Sequence, residues 1–288
     1  MMVRSAAVFA ALLAGATAAN ADDETPPVVR GQTYVQHQIM AARSKYPQIL
    51  AITVIGKRPE DKAPVVLGST ASVASVLRPA AEPTDGAAPV GSRYIVREPL
   101  LSSSNHRLGT IEITFAATAG QEARDVRIAK AVQQDMAHAT LSAKNAADPY
   151  PFDRAFAPDR YAQRLTEKTV AAHPDLLVMM IHATPPGGAR NIIIGSNIGR
   201  FGKPADEDDL RVIEKGSTNL EVGGDDKDRF ETELPLLDRS GQRIGALGLV
   251  FALTAGSDKE ALHKHGLAIR DELARDIPNS AALFRRVK

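Results

Sequence analysis

The chain has 288 residues, with 35 basic and 34 acidic side chains, 44% apolar residues, and neither cysteine nor tryptophan. Balanced charge excludes a global field that would steer it toward nucleic acid or anionic lipid. The missing cysteine excludes disulfides, thiol catalysis, a lipoprotein anchor and Cys-ligated metals, so stability must come from burial.

The first residues, "MMVRSAAVFAALLAGATAANA", place one cation (Arg4) before an apolar run from Ala6 to Leu13 and end on small residues. That is the grammar of a cleaved export signal over residues 1–21, with cleavage after Ala21 and a mature chain beginning at Asp22. The run is too short to span a bilayer, so the expected location is periplasmic or secreted.

From there the chain repeats itself. Residues Tyr46 to Thr70, "YPQILAITVIGKRPEDKAPVVLGST", lie over His173 to Asn197, "HPDLLVMMIHATPPGGARNIIIGSN", at a constant offset of 127. Further on, "EPLLSSSNHRLGTIEITF" (Glu98 to Phe115) lies over "LPLLDRSGQRIGALGLVF" (Leu234 to Phe251) at an offset of 136. The second copy therefore carries nine extra residues between the two blocks. The pattern reads as a tandem duplication, with copies at 22–145 and 160–288 and a proline-rich linker at 146–159.

Each copy predicts the same elements in order. A helix comes first, with Val35, Ile39, Ala42 and Tyr46 on one face of copy one, ending before Pro47 or Pro174. Two strands follow: "ILAITVI" or "LLVMMIH", then "PVVLG" or "NIIIG". A long irregular connection comes next, and in copy two "ADEDDL" reads as the acidic first turn of a short helix. A hairpin then reverses at Asn105 or Gly241, residue types that tolerate a left-handed turn. A closing helix ends each copy. In the second, Ser257 and Glu260 suggest a capping box ahead of a stripe of Leu262, Ile269, Leu273 and Ile277.

Catalytic and metal signatures are sparse. There is no G-x-S-x-G, P-loop or H-E-x-x-H, and the repeated Gly-Ser of "LGST" and "IGSN" reads as a structural turn. His263 and His265 lie two apart on a helix, about 200° around it, so they cannot share one metal. They are read as a solvated face, as is the basic end "FRRVK". The acidic stretches lack the EF-hand pattern. No enzymatic activity, metal or cofactor is expected.

The two quoted blocks, above all "IIIGSNIGRFGKPADEDDLRVIEKG" and "FETELPLLDRSGQRIGALGLVF", resemble the Cache branch of the PAS-like sensor domains. The resemblance extends over both copies. It implies an α+β fold of two tandem PAS/Cache-like domains, each an antiparallel sheet with a long N-terminal helix and a C-terminal helix. The concave face of such a sheet, covered by the connection, would hold a small ligand. On that architecture the ligand-binding candidates are Asn197, Arg200, Phe201, Arg211 and Arg229, with His182 at the back. In copy one they are Arg93 and Tyr94, beside Thr70 and Arg97. Arginine forks suit carboxylate or phosphate, so the expected guest is a small anionic metabolite. The transmembrane helices and signalling modules of Cache receptors are absent from this sequence. It therefore reads as a non-enzymatic binding or sensing protein acting through a membrane-bound sensor or transporter. The alternative is an adaptor with vestigial pockets.

Overall fold

The computed structural model describes residues 33–71, 84–150, 159–224 and 227–287; the stretch read from sequence as an export signal and most of the expected linker lie outside these. Two five-stranded antiparallel sheets organise them. The first half runs α1 (Tyr34–Lys45), β1 (Ala51–Gly56), β2 (Val65–Ser69), β3 (Gly86–Val90), β4 (Arg93–Leu101), β5 (Arg107–Ala116), α2 (Glu122–Ala139) and α3 (Ala143–Ala146). The second half runs α4 (Tyr161–Ala172), β6 (Leu176–Ala183), β7 (Ile192–Ser196), α5 (Glu207–Lys215), β8 (Asn219–Gly223), β9 (Arg229–Leu237), β10 (Arg243–Ala252), α6 (Lys259–Asp276) and α7 (Ser280–Leu283).

The sheets have equivalent strand orders, β2-β1-β5-β4-β3 and β7-β6-β10-β9-β8. Helices α1 and α4 superpose in sequence at an offset of 127, and β4/β9 and β5/β10 at 136, as the repeat requires. Each half is an α+β unit, a five-stranded antiparallel sheet with helices packed on it. The outer strands β3 and β8 fall within stretches that sequence alone reads as irregular connection. Each is held by its neighbour's ladder, Gly86–Val90 on β4 and Asn219–Gly223 on β9.

Period-two alternation sets the two faces of each sheet. In the second half Met179, Ile181, Leu234, Leu236, Leu247, Leu249 and Phe251 turn to the helices, meeting Ala162 and Leu165 of α4 and Ile269 and Leu273 of α6. The first half repeats this with Ile52, Val54, Ile111, Ile113 and Phe115 against Val35 and Ile39 of α1 and Val132 and Met136 of α2. The duplicated Gly109 and Gly245 are explained by close approach. A Cβ at either would overlap a neighbouring backbone carbonyl, that of Ile55 or His182.

The repeated Gly-Ser is structural, as expected. Ser69 and Ser196 donate their backbone N–H to Gln36 and Gln163 of the overlying helices, at 3.0 and 2.9 Å. One residue on, Thr70 Oγ1 and Asn197 Oδ1 accept from the N–H of Ile52 and Met179. The turns at Asn105 and Gly241 are both left-handed, with φ of 65° and 81°.

Two local expectations need correction. The N-cap of α6 is Asp258, whose carboxylate accepts from the N–H of Glu260 and Ala261. Ser257 Oγ instead accepts from Thr254 N and closes the preceding turn. An aspartate directly before the first helical residue can satisfy two of its free N–H groups, and it displaces the serine. The C-terminal "FRRVK" is also tied down: Arg286 bridges Arg160, and Val287 donates to Asp159 O at 3.0 Å.

The halves are joined by specific polar contacts. Tyr34 of α1 is buried and its hydroxyl donates to Ile198 O in the second half. Burial pushes this phenol up to about 12, so it stays a donor at every physiological pH. His106 pairs with Asp228 at 2.9 Å, and Arg229 donates to Leu141 O at 3.1 Å. Tyr34→Phe should therefore cost about 1 kcal/mol. Calorimetry should show this as a fall of roughly 2–4 °C in the midpoint.

Candidate functional site

The face of the second sheet turned away from its helices is hollow. A cavity of about 300 Å³ lies between β6, β7, β9 and β10, the helix α5, and the segment around α3 contributed by the first half. Its floor follows from strand alternation. Met180 and His182 project from β6, Ile193 from β7, Glu231 and Glu233 from β9, and Val250 from β10. Leu141, Asn145 and Asp148 close it from the first half. Leu141 packs on an apolar cluster of Val178, Met180, Ile193, Ile198 and Val250.

The lining is acidic. Seven carboxylates (Asp148, Asp206, Asp208, Asp209, Glu221, Glu231 and Glu233) face four fixed cations. Asp148 is already neutralised by Arg200 at 2.5 Å, with Lys203 at 3.7 Å, and Asp208 by Arg211. Among the described residues the other five make no salt bridge to a lysine or arginine, although Lys203 and Arg229 act on Asp209 and Glu231 through space. Asp206 caps α5 through the N–H groups of Asp208 and Asp209, and Asp209 accepts from Asp206 N at 3.1 Å. One carboxylate oxygen from each of Asp206, Asp209 and Glu233 lies within 4.8 Å of the others. Glu221 and Glu231 stand directly opposite in the β8–β9 ladder, an arrangement that like charges disfavour.

Protonation follows from this crowding. Burial, reinforced by Asp206, raises Asp209 to about 7. Burial and then Glu221, Asp209 and Asp206 raise Glu231 to about 7. Burial and then Glu231 raise Glu233 to about 8, although Asn219 donates to it at 3.0 Å. At neutral pH the cluster therefore stores protons. His182 behaves oppositely: burial holds its imidazole down to about 3, with Arg200 and Lys203 adding to the effect. It is 3% exposed, its Nε2 has no hydrogen-bond partner, and its Nδ1 stands 3.4 Å from Asp209. A buried neutral imidazole with free valence, beside carboxyls ready to ionise, is equipped to receive hydrogen-bond donors carrying positive charge.

The residues singled out from sequence divide accordingly. His182, Arg200 and Arg229 line the cavity. Arg200, however, is committed to Asp148, and Arg229 to Leu141 O. Arg211 is exposed and paired with Asp208. Asn197 is consumed in strand contacts, accepting from Met179 N and donating to Leu177 O. Phe201 is half-buried and outside the cavity lining. Arg93 is exposed on β4, and Tyr94 is half-buried beside Pro89 and Glu122, away from the second-half cavity.

The acids that dominate the site, Glu231, Glu233 and Asp209, were not singled out. One sequence feature marks them: the repeat breaks there. The positions equivalent to Met180, His182, Glu231 and Glu233 are Thr53, Ile55, Ile95 and Arg97 in copy one. There Arg97 is closed by Glu112 at 2.8 Å, where the second half has Gly248.

No family model and no curated protein matches the chain. Among solved structures it is similar to the GAF domain of A. aeolicus nlh2 in an inactive state, at 12% identity and a TM-score of 0.32, over 40% of this chain and 82% of that one. It is also similar to the cofactor-binding GAF domain of the nutrient sensor CodY from Clostridium difficile, at 14% identity and a TM-score of 0.28, over 42% and 85%. A third is a double mutant of the inducer-binding domain of the transcription factor PobR from Acinetobacter, in complex with 3-hydroxybenzoic acid. It matches at 11% identity and a TM-score of 0.27, over 41% and 95%.

Proposed function

We propose that this chain is an exported, non-enzymatic small-molecule-binding protein built of tandem Cache-like domains. Its ligand, held in the second-half cavity, carries a primary amine. The observation that carries the reading is the convergence of Asp209, Glu231 and Glu233 on a cavity whose back wall is Met180, Ile193 and Val250. An ammonium group offers three donors and one positive charge to those carboxyls. The cavity exceeds a single ion and suits a small organic molecule with an apolar portion. An anionic guest was expected from the arginines, but Arg200 and Arg211 already hold carboxylates. The first half serves as roof and docking surface for a membrane partner.

Thermal-shift and calorimetric titration of the full chain at pH 8 tests this. The panel comprises putrescine and other primary amines, α-amino acids, dicarboxylates, and Mg²⁺, Ca²⁺, Mn²⁺ and Zn²⁺. An amine at a hundredfold its Kd should stabilise by about 2.7 kcal/mol. Response to dicarboxylates alone would restore the anionic guest. A response to metal ions alone, lost in Glu233→Gln, would make the site a metal centre. No response at all would leave the pocket vestigial and favour the adaptor reading.

A further inference from the structure

On the opposite side of the second sheet, a second group of ligating side chains comes together from three places in the chain. His173 ends α4, donating its N–H to Thr169 O, and Asp175 follows in the turn before β6. His265 sits on α6 with its ring against Phe251 of β10. One ligand atom from each of His173, Asp175 and His265 lies within 4.8 Å of the others. The two imidazoles meet edge to face, with centroids 5.3 Å apart. His265, read from sequence as unable to pair with His263, finds a partner in His173 from another helix.

We propose that His173, Asp175 and His265 form a binding site for a divalent transition-metal ion of the zinc type. A fourth place remains for a water molecule. Three observations support it. First, the chemistry fits: two imidazoles and a carboxylate suit zinc, and a carboxylate-only cluster would not select it.

Second, the spacing fits. Ligands of a tetrahedral ion at about 2.0–2.1 Å are separated by roughly 3.3–3.4 Å along each edge. His265 Nε2 stands 3.3 Å from Asp175 Oδ2, one such edge, and a ligand atom of His173 lies within 4.8 Å of both residues. Third, both Nε2 atoms are screened from solvent and neither makes a hydrogen bond. Contact with the acids is therefore close enough for a shared ion but does not satisfy the rings by itself.

The bound ion would fasten the end of α4 to the middle of α6, the two helices that cover the sheet. This site is independent of the acidic cavity, which lies on the other face. It would let the second half respond to metal without any occupant in the cavity.

Calorimetric titration of the full chain with Zn²⁺, and Co²⁺ as spectroscopic probe, tests the assignment. One ion per chain should bind, and Co²⁺ should develop the intense visible bands of a tetrahedral nitrogen–oxygen site. His173→Ala and His265→Ala should each weaken binding by roughly tenfold or more, and Asp175→Asn by roughly tenfold. His173→Gln and His265→Gln keep the side-chain bulk and serve should an alanine variant fail to fold. Glu231→Gln/Glu233→Gln should leave these bands unchanged, which separates this site from the cavity. The proposal is overturned if Co²⁺ shows only the pale bands of the hydrated ion. Undiminished Zn²⁺ binding in the double histidine variant would equally overturn it.

Discussion

Replacing Glu231 and Glu233 together by glutamine is expected to stabilise the ligand-free protein at pH 8 while sharply weakening amine binding. Both carboxyls are held above their ordinary range in the fold, to about 7 and about 8, first by burial and then by neighbouring acids. A group raised in this way contributes stability that is complete below its unfolded value, near 4.5. That stability is lost as pH climbs through the folded value. His182, held down to about 3, works in the other direction. Its contribution is complete above about 6.5 and is lost as pH falls toward 3. The decline owed to the acids begins near pH 4.5 and is complete by about pH 8, and above pH 6.5 the imidazole no longer opposes it, so stability should fall from pH 6.5 to 8.

The double glutamine variant keeps the shape and removes most of the decline, leaving the part owed to Asp209. The gain at pH 8 should be on the order of 1–3 kcal/mol, read by urea denaturation at several pH values. Amine affinity should fall roughly a hundredfold, as a charge-assisted contact is lost at each position. A wild-type profile flat from pH 6.5 to 8.5 would show that the carboxyls are solvated, and the proposed ligand class would lose its basis. On the proposed function, the cluster gives up stability for binding, as functional sites commonly do.

The second large effect concerns the roof. Asp148→Ala should destabilise the chain by about 3 kcal/mol, measured by chemical denaturation. Arg200 is 7% exposed and its guanidinium meets Asp148 at 2.5 Å. Its backbone is left-handed, with φ of 69°, so the side chain is presented to the first half by an unusual conformation. Without Asp148 the guanidinium stays buried beside Lys203, whose own ammonium is already disfavoured by burial and by Arg200. The loss arises chiefly from the abandoned cation. An Asp148→Leu/Arg200→Met pair should therefore recover most of the stability that Asp148→Ala removes. If Asp148→Ala proves neutral, the two halves are not held together by this bridge.

The arrangement of strands and helices was legible because the chain writes it twice. A helix, a Pro break, two β-rich runs and a turning hairpin recur at 127 and 136 residues, and local pattern and repeat agree at each step. The outer strands were not legible. β3 (Gly86–Val90) is exposed throughout and β8 (Asn219–Gly223) is half-buried to exposed, and neither carries an apolar alternation to announce it. Backbone pairing holds both to their neighbours, with Asn219 of β8 also donating to Glu233.

The site was half legible. His182, singled out because it closes a central strand, lines the cavity. The ion pairs of Arg200 with Asp148 and of Arg211 with Asp208 can be assigned only once the chain is folded. Glu231 and Glu233 escaped notice because "FETEL" alternates as a half-solvated strand would. Only the cover supplied by α5 and the first half turns that polar face inward. His173 and His265 are 92 residues apart in sequence, so no local spacing could join them.

The chamber in the second half has a ceiling borrowed from its sister repeat: Leu141, Asn145 and Asp148 all precede the second copy. A fragment beginning at α4 would keep every strand of its sheet yet open the carboxyls to bulk water. Their affinity for protons would then relax toward that of free side chains. If the proposed guest binds there, its selectivity is a property of the joined pair, and neither half possesses it alone.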